Sequence, residues 1–268
     1  MKKRPVWRWL GYAALGLLLY TLFLLVFAPA DYFVRGVAVL SRRTLNIQQA
    51  DGTLWRGRGT LVSANGSAPV LGQVQWVVHP WALLTGSIGA ELQFTGNDCE
   101  VRANADFGLR RHILRDVVIV APATVVTQLF PLVGTMGLGG HLRVNAPMIE
   151  LRKDALQGSA ELLWENAASQ LLPVNPAGSY KLQANGEGKR LALIITTVQG
   201  TLQVAAQGSW NLLDDGALKL QGSLAAAGSQ PALEPLLNSI GPAQADGRHT
   251  FNYETQYAPF QPATLFPF

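Results

Sequence analysis

The chain has 268 residues, a formal net charge of +4 and a single cysteine. Four of its 21 Lys and Arg (Lys2, Lys3, Arg4 and Arg8) precede the first apolar run, and the other 17 balance 17 Asp and Glu that all lie after it. The basic balance therefore belongs to the N-terminus and excludes a basic nucleic-acid-binding body, while one thiol excludes an internal disulfide.

Leu10 to Ala28 reads LGYAALGLLLYTLFLLVFA, nineteen residues without a charge. At about 1.5 Å per residue such a helix spans roughly 28 Å, close to the apolar thickness of a bilayer. Trp7, Trp9 and Tyr32 flank the run as interfacial aromatics do, and the four preceding basic residues place the N-terminus in the cytoplasm. Ala28-Pro29-Ala30 also imitates a small-x-small signal cleavage site, but the apolar run exceeds the ~7–15 residues of a signal h-region and carries a Pro inside the site. The expectation is a retained anchor; with either outcome the rest of the chain is exported.

Two clusters open the body. Asp51-Gly52-Thr53-Leu54-Trp55-Arg56-Gly57-Arg58-Gly59 reads as a buried strand end, with Gly57 and Gly59 permitting a bulge or a tight backbone approach. In Trp76-Val-Val-His-Pro80-Trp81-Ala-Leu-Leu84, Pro80 breaks a strand and turns Trp81 back onto the sheet. The tryptophans are read as core.

Beyond Val39 charges are sparse and period-two alternation dominates. Gly89–Phe94, Gly140–Asn145, Met148–Arg152, Ser179–Ala184, Gly200–Ala205 and Ala217–Gly222 each alternate apolar with polar residues, as half-buried antiparallel strands do. Turns are predicted at Asn65-Gly66, Asn185-Gly186, Asp214-Asp215-Gly216 and Asp246-Gly247. Pro122–Leu132 and Pro231–Ile240 are predicted as short helices that cap or cover the sheet, the second with Leu233, Leu236, Leu237 and Ile240 at helical spacing. A faint repeat links the segment Gly72–Gly96 to Gly158–Gly186: a strand ending on Trp, an irregular link with Leu-Leu, then an alternating strand ending on Gly. It suggests stacked meander units in one long curved sheet, with a duplicated βαββ-like unit as the alternative.

Catalytic signatures are missing. His79, His112, His141 and His249 stand apart from further metal-ligating residues at zinc spacing, and no Gly-x-Ser-x-Gly elbow occurs. Gly137-Leu-Gly-Gly140 is glycine-rich but lacks the Lys-Ser/Thr of a phosphate-cradling loop. Cys99, between Asp98 and Glu100, is a small half-buried residue in an acidic setting that opposes thiolate formation. The sequence thus predicts no enzyme activity, no catalytic residues, no cofactor-binding residues, no cofactor, no metal site and no small-molecule substrate. Its tools would be sheet edges and aromatic anchors.

In order along the chain, the basic N-terminus, the apolar helix, Gly52-Thr53-Leu54-Trp55-x-Gly57-x-Gly59 and Gly72-x-Val-x-Trp76…Pro80-Trp81-x-Leu-Leu84-x-Gly86 resemble the opening of the type II secretion system protein N (GspN) family. Pro131-Leu132, Gly158…Trp164, Leu233…Leu236-Leu237…Gly241 and Asp246-Gly247-Arg248 continue the likeness over essentially the whole chain. The resemblance implies a single-pass inner-membrane component of the type II protein secretion system, a structural or assembly subunit with its bulk in the periplasm. It implies contacts with other secretion subunits, such as the C protein and the secretin, and supplies no catalytic residues.

The expected architecture is mainly β: a cytoplasmic N-terminus (1–9), a single transmembrane helix (10–28) and a curved antiparallel β-rich periplasmic domain (29–268) with one or two short helices, built either as one body or as two similar halves (about 37–146 and 147–268). The alternative function is an AsmA-like periplasmic β-groove protein handling lipid or outer-membrane assembly.

Overall fold

The computed structural model describes the backbone of residues 6–41, 45–63, 70–79, 86–108, 111–125 and 136–258. The chain forms two compact units, Met1–Pro80 and Trp81–Phe268, with thirteen strands among the described residues.

The first unit opens with helix α1, Val6–Val26. Side chains of residues 6–10 and 22 fall outside the described set, and among the described residues no helix is long and apolar enough to cross a membrane. A second helix, α2 (Asp31–Leu40), follows after four residues and was not anticipated from the sequence. Its cause is legible afterwards: Asp31 sits in the first turn, where the helix dipole favours a carboxylate. Phe33, Val34, Val37 and Ala38 recur at helical spacing and are the half-buried positions. Strands β1 (Leu45–Gly52), β2 (Arg56–Ser63) and β3 (Val70–His79) pair antiparallel in chain order. A bulge between Gln48 and Asp51, with Gln49 at φ 51°, bends β1. β3 ends at His79, immediately before Pro80. Asn65-Gly66 and Trp81 lie outside the described residues.

The second unit is an antiparallel meander of ten strands: β4 (Ser87–Gly96), β5 (Cys99–Gly108), β6 (Arg111–Pro122), β7 (Gly139–Arg152), β8 (Leu156–Ala168), β9 (Gly178–Gly188), β10 (Arg190–Gly200), β11 (Leu202–Trp210), β12 (Ala217–Ala226) and β13 (His249–Gln256). Each of these strands pairs with its sequence neighbours in the unit, and among the described residues β4 and β13 do not pair with each other, so the meander stays open. Five of the six alternating segments fall whole in strands. Gly140–Asn145 and Met148–Arg152 join into the single strand β7, because a bulge against β8 between Asn145 and Met148 accommodates Pro147, which has no N–H to give the ladder. The sixth, Gly200–Ala205, spans a reversal: Gly200 closes β10, Thr201 makes the bend, and Leu202 to Ala205 belong to β11.

The hairpin at Asp214-Asp215-Gly216 forms as predicted: Gly216 takes φ 72°, and Asp215 Oδ1 accepts the Ala217 N–H at 3.0 Å. Asp246-Gly247 also turns, with Gly247 donating to Gln244 O at 2.9 Å. Asn185-Gly186 does not turn. Both residues lie inside β9, opposite Ser159 and Gly158 of β8 and Ala192 and Leu191 of β10; the reversal comes at Gly188-Lys189. Gly186 is required instead by close packing, since a Cβ there would stand 2.8 Å from Leu156 O. The predicted helix at Pro122–Leu132 begins differently: Pro122 is the last residue of β6, opposite His141, and the part beyond Val125 lies outside the described residues.

Pro231–Ile240 is helical as expected, a 3-10 turn (Pro231–Leu233) leading into α3 (Glu234–Ile240). It lays Leu233 and Leu237 over Ala177 and Leu202 in the buried cluster of this unit, with Leu172, Val204 and Leu224 packed around it.

Cross-strand register separates the two faces of the meander. From β4 to β13 the directly opposed residues run Phe94, Val101, Ile119, Val144, Leu162, Leu182, Ile195, Ala206, Gly222, Phe251. This row has no polar side chain. Its large members are only half-buried, so the row forms a continuous apolar band rather than a sealed core. The adjoining row on the other face runs Gln93, Arg102, Val118, Asn145, Glu161, Gln183, Ile194, Gln207, Gln221, Asn252.

Candidate functional site: the helix–sheet junction

The cluster around Trp55 and Trp76 comes together in the first unit at the exit of α1. Thr53, Leu54 and Trp55 form the tight link between β1 and β2, so Leu54-Trp55 is a turn rather than the predicted strand end. Thr53 closes this link with its own backbone and side chain: its N–H donates to Arg56 O at 2.8 Å, and its Oγ1 accepts the Arg56 N–H at 3.2 Å.

The link grips the chain leaving the helix. The Leu54 N–H donates to Ala28 O at 2.8 Å, Thr53 bridges to Pro29, and the Trp55 indole N–H donates to Leu25 O at 2.7 Å. Leu25 lies in the last turn of α1, where carbonyls have no partner within the helix. Trp55 thus supplies a C-terminal cap from 30 residues downstream in sequence. Ala28 and Ala30 are buried under these contacts.

Trp76 is the keystone below. It is 1% exposed, its indole N–H donates to Thr53 O at 3.3 Å, and Phe33 of α2 stacks on it with ring centroids 4.2 Å apart and planes 8° from parallel. Gly57 lies under the ring: a Cβ there would come within 2.8 Å of Trp76 Cε2 and of Asp51 O. This is the tight approach expected of that glycine. The second expectation, that the tryptophans are core, holds for Trp76 and in part for half-buried Trp55. Phe33 was missed, and the α2 spacing of residues 33, 34, 37 and 38 was the signal that would have found it. The Arg58–Asp51 pair at 3.4 Å is exposed on both sides and contributes little.

The remaining sequence candidates are dispersed. His79 ends β3, His112 lies in β6, His141 in β7 and His249 in β13, where its buried ring Nδ1 meets Gly241 O at 2.7 Å. Burial lowers the His112 pKa. Among the described residues no three of His, Cys, Asp or Glu gather as metal ligands. Cys99 follows the β4–β5 turn at Asn97-Asp98, with its thiol pKa raised by burial rather than by the acidic neighbours. The glycines of Gly137-Leu-Gly-Gly140 serve packing: Gly139 O accepts the Trp164 indole N–H at 2.9 Å, and a side chain on Gly140 would collide with the backbone of Glu165 and Asn166.

A leading helix capped by a tryptophan from the sheet, followed by a chain-order antiparallel meander with one apolar band, defines a helix-led β scaffold. The profile of the family described as Type II secretion system (T2SS), protein N matches residues 43–252, and the chain belongs to that family. It is 24% identical over 220 residues to the Type II secretion system protein N of Vibrio cholerae serotype O1, covering 79% of this chain and 85% of the relative. It is 27% identical over 233 residues to the Type II secretion system protein N of Klebsiella pneumoniae, covering 83% of this chain and 87% of the relative. No solved structure matches.

Proposed function

We propose that this member of the protein N family is a non-catalytic, single-pass inner-membrane subunit of the type II secretion system, with its β body in the periplasm. The observation that carries the reading is the junction: Trp55, Leu54 and Thr53 fasten the sheet to the last turn of α1 and the residues after it, as a body held against a membrane anchor requires. Around α1, consecutive Leu17, Leu18, Leu19 and Tyr20 are 54–68% exposed, so every face of the helix presents apolar surface that no described residue covers. Lys2, Lys3, Arg4 and Arg8 before the helix favour a cytoplasmic N-terminus. Other secretion subunits, such as the C protein and the secretin, are the partners proposed for the periplasmic body.

A clean in-frame deletion tests this reading: exoproteins accumulate in the periplasm, secretion returns with the plasmid-borne chain, and the tagged chain co-purifies with secretion subunits from membranes. Normal secretion without the chain, together with no co-purifying subunit, overturns it. Alkaline phosphatase fused after Phe268 reports the topology, being active only if the body is exported.

The apolar band of the meander supports a second reading, an AsmA-like protein handling lipid. Its half-buried row from Phe94 to Phe251 offers a continuous apolar surface of the kind acyl chains lie against. Native mass spectrometry of the purified full chain decides this: co-purifying acyl lipid favours it, and a lipid-free spectrum in a detergent that preserves lipid complexes rejects it.

A further inference from the structure

Among the described residues the outer edge of β13 from Asn252 to Gln256 has no partner strand. All eight residues of β13 pair with β12 without a bulge, and the strand contains no Pro and no Lys. These are the devices by which sheets usually blunt an edge. By contrast β1, the first strand of the other unit, carries a bulge and lies against α2.

Which backbone groups are free follows from two hydrogen bonds. Tyr257 N–H donates to Gly216 O at 3.0 Å, continuing the β12–β13 ladder through odd-numbered residues. Gln244 N–H donates to Arg248 O at 2.8 Å from the outer side, so even-numbered residues face outward. The segment after α3 covers the start of the edge, with Ala243 bridging His249 and Gly241 packed on Thr250 O. Asn252, Glu254 and Gln256 are left presenting N–H and C=O groups to no partner strand among the described residues.

We propose that this edge pairs with the β13 edge of a second copy of the chain, antiparallel about a two-fold axis at Tyr253. The self-complementarity of the edge selects the partner, and the aromatic pair formed by two opposed Tyr253 side chains selects the register. In a symmetric antiparallel pair, opposed residues share a face, so a register opposing odd to even residues would set Phe251 and Tyr253 against the polar row. Centring on Asn252 needs the outer groups of Thr250, which Gly241 already occupies. Centring between the strands at Glu254 opposes two like carboxylates. Centring on Tyr253 hydrogen-bonds Asn252 to Glu254 of the second copy twice and opposes Tyr253 to itself. It also leaves Glu254 with its own Lys219 at 3.5 Å. Phe251, where the apolar band ends, then faces Thr255 of the second copy across the seam. Tyr253 is 47% exposed in the single chain, and burying it in an aromatic cross-strand pair stabilises the contact.

Disulfide trapping of the full-length chain in membranes tests the register. At the axis, opposed non-hydrogen-bonded residues have Cα atoms about 4.5 Å apart, within disulfide reach. In a Cys99→Ala background, Tyr253→Cys gives a dimer on mild oxidation at a yield at least about tenfold above Phe251→Cys alone. Combining Phe251→Cys with Thr255→Cys in one chain restores dimer, because those positions face each other. Adding Glu254→Pro to Tyr253→Cys removes one outward N–H without touching the β12 ladder, and it abolishes the dimer while the melting midpoint of the chain stays in place. A folded Tyr253→Cys chain that remains monomeric, or equal trapping at Tyr253 and Phe251 alone, overturns the proposal. So does a dimer insensitive to Glu254→Pro.

Discussion

Gly57 sits directly beneath the indole of Trp76, close enough that a Cβ would press on Trp76 Cε2 at 2.8 Å and on Asp51 O at the same distance. The ring cannot retreat, because Phe33 stacks on it and its N–H is committed to Thr53 O. The spacing of Gly57 and Trp76 in the sequence is therefore a packing relationship between neighbouring strands β2 and β3, where the two residues stand opposite each other.

Gly57→Ala accordingly overpacks the junction. Inserting one methyl into such a contact destabilises by about 1–3 kcal/mol. Thermal unfolding of the detergent-solubilised chain, followed by circular dichroism, reads this as a lowered midpoint. An unchanged midpoint would mean that Trp76 is free to shift.

Trp55→Phe keeps the aromatic bulk and deletes the donor to Leu25 O. A hydrogen bond of this kind contributes about 0.5–1.5 kcal/mol net, small for the whole chain but concentrated at one strap. The expected result is faster protease cleavage between α1 and α2, around Phe27–Ala30, with the β body resisting digestion as before. Equal cleavage rates in both chains would show that the indole bond does not hold the strap.

Leu233 is fully buried between α3 and the β9–β12 region. Leu233→Ala leaves a cavity among Ala177, Leu202 and Leu237, and such truncations cost about 2–5 kcal/mol. Leu236, one turn position away and only partly buried, gives a smaller loss on the same substitution. Denaturant midpoints of the two variants check the order.

The strands were readable because each half-buried strand writes its face into a period of two; β4, β9 and β12 contain their alternating segments whole. Asn185-Gly186 misled because the dipeptide that favours a tight turn also suits a strand where backbones crowd, and only pairing with Ser159, Gly158, Ala192 and Leu191 distinguishes the two. Helix α2 was hidden because Pro29, two residues before it, reads as a stop. The role of Trp55 was also out of reach: its acceptor is a main-chain carbonyl 30 residues away, and side-chain patterns carry no record of carbonyl partners. The glycine motif around it did register as a close approach, since glycine at alternate strand positions has few other uses.

Tyr180 gives the chain a signature at high pH. Its hydroxyl donates to Leu202 O at 3.0 Å, and burial pushes its pKa up to about 12. The protonated phenol is thus favoured in the folded state relative to an unfolded value of about 10. Its stabilising contribution is complete below about pH 10 and is lost as pH rises through about 12, because the unfolded chain releases the proton first. Phenolate absorbance of the folded chain should show a late component from Tyr180, above the exposed tyrosines. Tyr257, also raised through its hydrogen bond with Tyr253, contributes its own step. Tyr180→Phe removes the latest component and makes stability fall less steeply between about pH 10 and pH 12. If the latest step survives in Tyr180→Phe, the hydroxyl is not held at Leu202 and the packing drawn between β9 and the start of β11 is wrong.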